Sequence, residues 1–195
     1  QLTITDPDTG ESSFQAVPGL TGLYGSLDID SSGSWTYTVD NNLDAVQSLA
    51  TGEVLPDSID VTSYDGTVQT IEITITGTND GPVVLDTVSL PATEDTALTI
   101  TEAQLLEYAT DVDGDDLHVE NLRVRPGFEH DGTLFDNGDD TWTFSPAGDF
   151  SGPVALAYDV SDGTDITPAY ATVQVDAVAD SPEVSGPVDL GSIQE

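Results

Sequence analysis

The sequence predicts an all-β fold: two antiparallel β-sandwiches in tandem, with a few short helical turns between strands. Composition is the first reason. The 195 residues include 18 Gly and 11 Pro, are rich in Thr, Val and Ile, and contain no long run of helix formers, which is the profile of strands and turns. Patterning is the second, because apolar and polar residues alternate over short stretches that end in Gly, Pro, Asn or Asp. The third is an internal repeat that doubles one set of strands along the chain. This length is generous for one small sandwich and comfortable for two domains of about 100 residues.

Taken in order, residues 1–8 read as a short strand with Leu2 and Ile4 on one face, stopped by Asp6-Pro7-Asp8. Residues 14–24 read as an irregular stretch. A strand is expected over 25–30, then the turn Ser31-Ser32-Gly33, then a strand over 34–39 with Trp35, Tyr37 and Val39 facing the core. Leu43, Val46 and Leu49 recur every three residues, so one or two helical turns are expected there. Strands return over 59–64 and 70–76 around the turn Asp65-Gly66-Thr67, followed by Val83-Val84 and 97–100. Thr101-Glu102-Ala103-Gln104 fits a capping box, in which the Thr101 hydroxyl accepts from the third helical amide and Gln104 reaches back. Leu105, Leu106 and Tyr108 would form the buried side of that short helix. Strands over 117–122, 133–135, 141–144, 154–160 and 169–175 complete the set.

The two halves repeat each other station by station. Gly25-Ser26-Leu27 begins ten residues before Trp35, and Gly132-Thr133-Leu134 begins ten before Trp142. Ser34-Trp35-Thr36-Tyr37-Thr38 matches Thr141-Trp142-Thr143-Phe144-Ser145. Tyr64-Asp65-Gly66-Thr67 matches Ser161-Asp162-Gly163-Thr164, and Asn79-Asp80-Gly81-Pro82 matches Ala179-Asp180-Ser181-Pro182. Pro182, Val184, Pro187, Leu190 and Glu195 then echo residues 82–94. The expected organisation is therefore one sandwich over 1–82, a second over 83–182, and the opening strands of a third repeat, or a linker, over 183–195. Gln1 opens in strand-like sequence, so the chain is expected to be a piece of a longer array.

Charge narrows the function. Thirty-seven acidic residues face two basic ones, Arg123 and Arg125, for a formal net charge of −35. A nucleic acid or an anionic membrane would be repelled by such a field. Disorder is the usual home of high net charge, but it needs low hydrophobicity, and here 37% of residues are hydrophobic and alternate. Folding neutralised by bound cations is the better reading. Cysteine is absent, which removes disulfides, thiolate metal sites and Cys nucleophiles, so a structural metal is a natural substitute staple. No apolar run reaches the length of a membrane span.

The cation would sit at the acidic turn Asp111-Val112-Asp113-Gly114-Asp115-Asp116, which is expected to fold back on the joint over residues 77–82. Asp111, Asp113 and Asp115 supply three carboxylates within five positions, and Gly114 lets the backbone curl so that they converge. An EF-hand loop would need Gly sixth and Glu twelfth, where Asp116 and Leu122 stand, so the site is of another kind. All the donors are oxygens, which selects calcium over zinc or copper.

The first half resembles a VCBS repeat, through Gly25-Ser26-Leu27, Ser34-Trp35-Thr36-Tyr37-Thr38, Asp65-Gly66-Thr67 and Ile75-Thr76-Gly77-Thr78-Asn79-Asp80. The second half resembles a bacterial cadherin-like repeat, through Glu94-Asp95-Thr96, Gln104-Leu105-Leu106, the acidic turn and Ser161-Asp162-Gly163. The resemblance implies immunoglobulin/cadherin-like sandwiches in the extender region of a large RTX-type adhesin, exported by type I secretion to the bacterial cell surface and stiffened at its linkers by calcium. The arrangement it implies brings Asp111 and Asp113 of one repeat to Asn79 and Asp80 of the incoming linker, with Asp162 closing the site and Glu94 contributing oxygen or orienting the linker. Asp6 and Asp8 would belong to the preceding joint, and Asp180 to the next. The partners would be neighbouring repeats of the same chain, and the module would be a monomer that neither binds nucleic acid nor inserts into membrane. A second reading is a module whose own loops recognise a carbohydrate or protein on another surface.

An enzyme finds little support. His118 and His130 are the only histidines, and no nucleophile elbow or zinc-type His pair occurs. His118 alternates with Leu117 and Val119, as an exposed strand residue would. Trp35 and Trp142 occupy equivalent places in the repeat, which marks them as core residues rather than sugar platforms. Arg123 and Arg125 are expected to form surface ion pairs.

Overall fold

The computed structural model describes residues 1–7, 11–180 and 186. In chain order the elements are β1 Val17–Thr21, β2 Gly25–Ile29, β3 Trp35–Val39, α1 Asp44–Gln47, β4 Val54–Thr62, β5 Val68–Thr76, β6 Val83–Val84, β7 Val88–Thr93, β8 Leu98–Thr101, α2 Glu102–Leu105, β9 Ala109–Thr110, β10 His118–Val124, β11 Gly132–Asp136, β12 Thr141–Pro146, β13 Gly152–Ser161 and β14 Ile166–Asp176. The fold is all-β with two single-turn helices, a β-sandwich class as the alternation requires. Residue 8 and the proposed third repeat over 183–195, Gly186 apart, lie outside the described residues.

The strands form sheets of order β1-β2-β3, β4-β5, β6-β9, β11-β12-β8 and β10-β13-β14-β7. The pairings whose register is recorded are antiparallel, apart from β14 with β7, which run parallel from Ala171↔Val88 to Asp176↔Thr93. The chain divides into two compact units. One comprises Gln1–Asp86, Leu106–Asn121 and Tyr158–Ala169; the other comprises Thr87–Leu105, Leu122–Ala157 and Tyr170–Glu195.

In the first unit the core gathers Phe14, Leu27, Ile29, Ile59, Val61 and Ile71, with Leu2, Ile4, Leu20, Trp35, Tyr37 and Ile73 packed around it. Strand alternation turns Leu27 and Ile29 of β2, Ile59 and Val61 of β4, and Ile71 and Ile73 of β5 to the same face of their own strands, and each fully buried side chain contributes about 1.5–3 kcal/mol. The second unit buries Leu90, Ile100, Leu105, Phe144, Leu156 and Val173.

Several expectations need correction. Residues 1–7 form no strand, although Leu2 donates its N–H to the Gly33 carbonyl at 2.8 Å and packs on the core. The face was legible, but no neighbouring strand pairs with the segment. The stretch over 14–24 is less irregular than expected, since Phe14 is buried and β1 runs through Val17-Pro18-Gly19-Leu20-Thr21. Pro18 and Gly19 hide that strand in the sequence because they sit in a register shift between Val17 and Leu20, on a sheet edge where Pro is tolerated. Tyr108 is exposed rather than buried with Leu105, since α2 is a single turn ending before it. Arg125 lies over the Tyr170 ring at 5.1 Å, a cation–π contact where an ion pair was expected. The capping box forms as read: Thr101 N–H donates to Gln104 Oε1 at 2.9 Å, and Gln104 N–H to Thr101 Oγ1 at 3.4 Å.

Candidate metal centre

The site lies wholly in the first unit and is built from two loops and a linker. The loop after β9 carries the acidic turn. Asp111 Oδ1 accepts from the N–H groups of Asp113 at 2.9 Å and Asp115 at 3.4 Å, so the carboxylate that opens the turn also folds it. Gly114 takes φ +81, a left-handed value that glycine adopts without steric cost. One carboxylate oxygen from each of Asp111, Asp113 and Asp115 lies within 4.8 Å of the others.

The linker is tied directly to this turn, where Asp80 N–H donates to Asp113 Oδ2 at 2.8 Å. Asn79 Nδ2 donates to Asp162 Oδ2 and to Asp165 Oδ2, both at 2.9 Å. The loop after β13 is in turn closed by Asp162 Oδ1, which accepts from Thr164 N–H at 2.7 Å and Asp165 N–H at 2.6 Å. Pro82 is buried, and its carbonyl accepts from Thr167 Oγ1 at 2.6 Å. A Cβ on Gly81 would stand 3.1 Å from Asp165 Cβ, so the linker passes close against that loop.

Two carboxylate oxygens of the turn are buried without a donor. Asp111 Oδ2 and Asp113 Oδ1 are shut off from solvent and have no hydrogen-bond partner. An anionic oxygen without solvent or donor is costly, and the two belong to the same triad. Electrostatics agrees: burial first, then the charges of Asp111, Asp113, Asp162 and Asp116, push the Asp115 carboxyl above its ordinary range. Asp162 is shifted the other way, held low by the Asp165 N–H, the Asn79 amide and the Thr164 N–H. A hard divalent cation would relieve both the missing donors and the mutual repulsion, and an all-oxygen donor set fits one.

Of the residues singled out in the sequence, the structure brings Asn79, Asp80, Asp111, Asp113 and Asp162 together. Asp115 belongs with them. Asp165 was passed over, although it is the second acid of Asp162-Gly163-Thr164-Asp165. Glu94 has other partners: it is buried, and its Oε1 accepts from the Val178 N–H in the second unit. Asp180 lies in that unit too, its carboxyl pushed up by burial and by Asp149, Asp95 and Glu94. Asp6 is half-buried, with its backbone N–H donating to Ser12 Oγ at 3.1 Å. Asp8 lies outside the described residues.

Known proteins complete the picture. Mouse clustered PcdhgC3 EC1-3 is similar at 17% identity and a TM-score of 0.47, over 89% of this chain and 59% of that one. Drosophila N-cadherin EC1-3 is similar at 13% identity and a TM-score of 0.37, over 89% and 58%. The endo-fucoidan hydrolase MfFcnA4 of glycoside hydrolase family 107 is similar at 22% identity and a TM-score of 0.36, but this chain spans only 24% of its length. None of the curated proteins matches in sequence. No helix among the described residues is long and apolar enough to cross a membrane. The sequence profile of the cadherin-like domain matches residues 78–176, just over half of the chain and the stretch that carries the acidic turn, the Asp162 loop and the Asn79-Asp80 linker, so the chain belongs to the family of cadherin-like domains.

Proposed function

We propose that this chain is a calcium-rigidified extender module of a bacterial cell-surface adhesin, one segment of a stalk that holds a distal binding domain away from the cell. The observation that carries the proposal is the pair of solvent-excluded, donorless oxygens, Asp111 Oδ2 and Asp113 Oδ1, in a turn to which the linker at Asp80 is hydrogen-bonded. Asp111, Asp113 and Asp115 would hold the ion, with Asp162, Asp165, Asn79 and Asp80 near enough to complete its shell or orient it. A cation on the acidic turn would therefore stiffen the linker as well as the turn. The net charge of −35 supports the same reading, because bound cations reduce self-repulsion. A cadherin-like domain fits an adhesion or extender module and a non-enzymatic role.

Calcium modules outside the cell bind with dissociation constants of about 0.1–1 mM, so about 10 mM calcium would stabilise the fold by about 1.4–2.7 kcal/mol per site. The test is a calcium titration by calorimetry together with thermal melting and small-angle scattering, with and without EDTA. Binding that disappears in Asp111→Asn/Asp113→Asn, with lower melting and a looser scattering profile after chelation, is the expected result. Identical melting and scattering profiles in calcium and EDTA would refute it.

A further inference from the structure

The only two basic residues of this chain, Arg123 and Arg125, stand on one short stretch of a molecule with 37 acidic residues. Both are exposed, Arg123 on β10 and Arg125 just past its end. Arg125 donates its N–H to the Ala155 carbonyl at 2.9 Å, so it still lies alongside β13. Beyond β13 comes β14, about 10 Å from β10. The small side chain of Ala155 leaves the Arg125 guanidinium room to cross β13 and rest 5.1 Å from the centre of the exposed Tyr170 ring.

Alternation puts Thr172 and Gln174 on the same face of β14 as Tyr170, and the parallel register sets Ser89 of β7 beside Thr172. Hydroxyl and amide groups therefore continue the face beyond the arginine. Carboxylates are sparse there. The strands β10, β13, β14 and β7 carry Glu120, Asp159 and Asp176, and of these only Asp176, the last residue of β14, belongs to the unit that holds Arg125. The repeat itself does not require the arrangement. The hundred-residue offset that relates Asp80 to Asp180 puts Thr70 in the place of Tyr170, and the first repeat has no arginine.

We propose that this sheet face binds a carboxylate-bearing saccharide, its carboxylate held by the Arg125 guanidinium and its hydroxyls by Thr172, Gln174 and Ser89. The guanidinium is always charged, and its N–H fork matches the two oxygens of a carboxylate. Tyr170 orients it in advance, so less side-chain freedom is lost on binding. The remaining charge of the chain selects the ligand's shape. A broad acidic surface, such as a second copy of this chain, would set carboxylates against carboxylates over most of the contact, and a phosphate chain carries more charge than two arginines offset. A saccharide with one carboxylate per ring brings its charge to Arg125 and otherwise presents neutral hydroxyls. Thr172, Gln174 and Ser89 suit those hydroxyls better than the apolar side chains that anchor a bound peptide.

The test is an NMR titration of the intact chain, in physiological salt and constant calcium, with trigalacturonate. Galactotriose, a sulfated trisaccharide and a triaspartate peptide serve as comparisons. Amides of Arg123, Arg125, Tyr170 and Thr172 should shift together and saturate at millimolar trigalacturonate, with galactotriose leaving them unmoved. Arg125→Gln should weaken binding about tenfold, and Arg125→Lys, which keeps the charge but loses the fork, should recover only part of that loss. Absence of these shifts, shifts confined to the Asp111 turn as calcium bridging would give, or undiminished affinity in Arg125→Gln would each overturn the proposal. Equal binding of galactotriose, or tighter binding of the sulfated trisaccharide or of triaspartate, would overturn the assignment of the ligand.

Discussion

Trp35 on β3 and Trp142 on β12 stand in near-identical sequence and in different surroundings. Both are flanked by Thr or Ser and followed two residues later by an aromatic ring, yet only the second pair is fully buried. The difference is the strand beyond: β12 is held between β11 and β8, and among the described residues β3 has β2 on one side alone. Alternation sets which side chains face inward, but the number of neighbouring strands decides how completely they leave water.

The sharpest way to break this contrast is truncation. Trp142→Ala is expected to cost about 4 kcal/mol and Trp35→Ala about 2 kcal/mol, because the cavity cost scales with lost burial. Urea denaturation followed by hydrogen exchange at amides of β3 and of β12 measures both, and equal losses would erase the contrast.

The unit that is less well covered at Trp35 has a polar staple of its own. Buried Asp57 accepts from Leu23 N–H at 3.0 Å, Tyr24 N–H at 3.1 Å, Ser58 N–H at 2.7 Å and Tyr37 Oη at 2.5 Å. Asp57→Ala would strand these donors, at an expected cost of about 3 kcal/mol, visible as a lower urea midpoint of the first unit. Burial by itself would raise the Asp57 carboxyl, but hydrogen bonds from Tyr37, Leu23, Tyr24 and Ser58 bring it below its ordinary 3.8. A depressed folded-state value means that the stability it confers is complete above the unfolded pKa and is lost as pH falls below 3.8 through the folded value. Acid titration of wild type and Asp57→Asn should therefore diverge above that window and converge below it.

Chelation comes next in size. Removing calcium is expected to cost the acidic-turn unit about 1.4–2.7 kcal/mol, and to cost Asp111→Asn/Asp113→Asn nothing further, as calorimetry in EDTA would read. The smallest effect is in the second unit. Thr101→Ala opens the capping box and should cost about 1 kcal/mol, with faster amide exchange at Gln104 as its local signature.

Much of the fold and part of the candidate site were legible in the sequence, for local reasons. Period-two alternation marked β2, β3, β5, β12, β13 and β14, and Asp-Gly or Ser-Gly pairs marked the turns between them. The capping box and the acidic turn are made within five residues each, so spacing alone revealed them. Strand β1 escaped because its Pro-Gly pair reads as a break. Strand β7 escaped because Pro91 interrupts its run and its pairing partner stands about eighty residues away. Asp165 escaped because its role depends on Asn79, which no spacing rule connects to it.

By itself the sequence determined an all-β chain of repeated strands, an acidic turn with metal-ligand spacing, and a charge that calls for cations. Those properties follow from side-chain periodicity and composition, which act over a few residues. Only the tertiary structure decided that β7 runs parallel to β14, that β5 and β3 end their sheets, that Asp57 is buried among four donors, and that two oxygens of the acidic turn are left without one. Each of those depends on which distant segments meet, and chain entropy is overcome there by packing that no local pattern records.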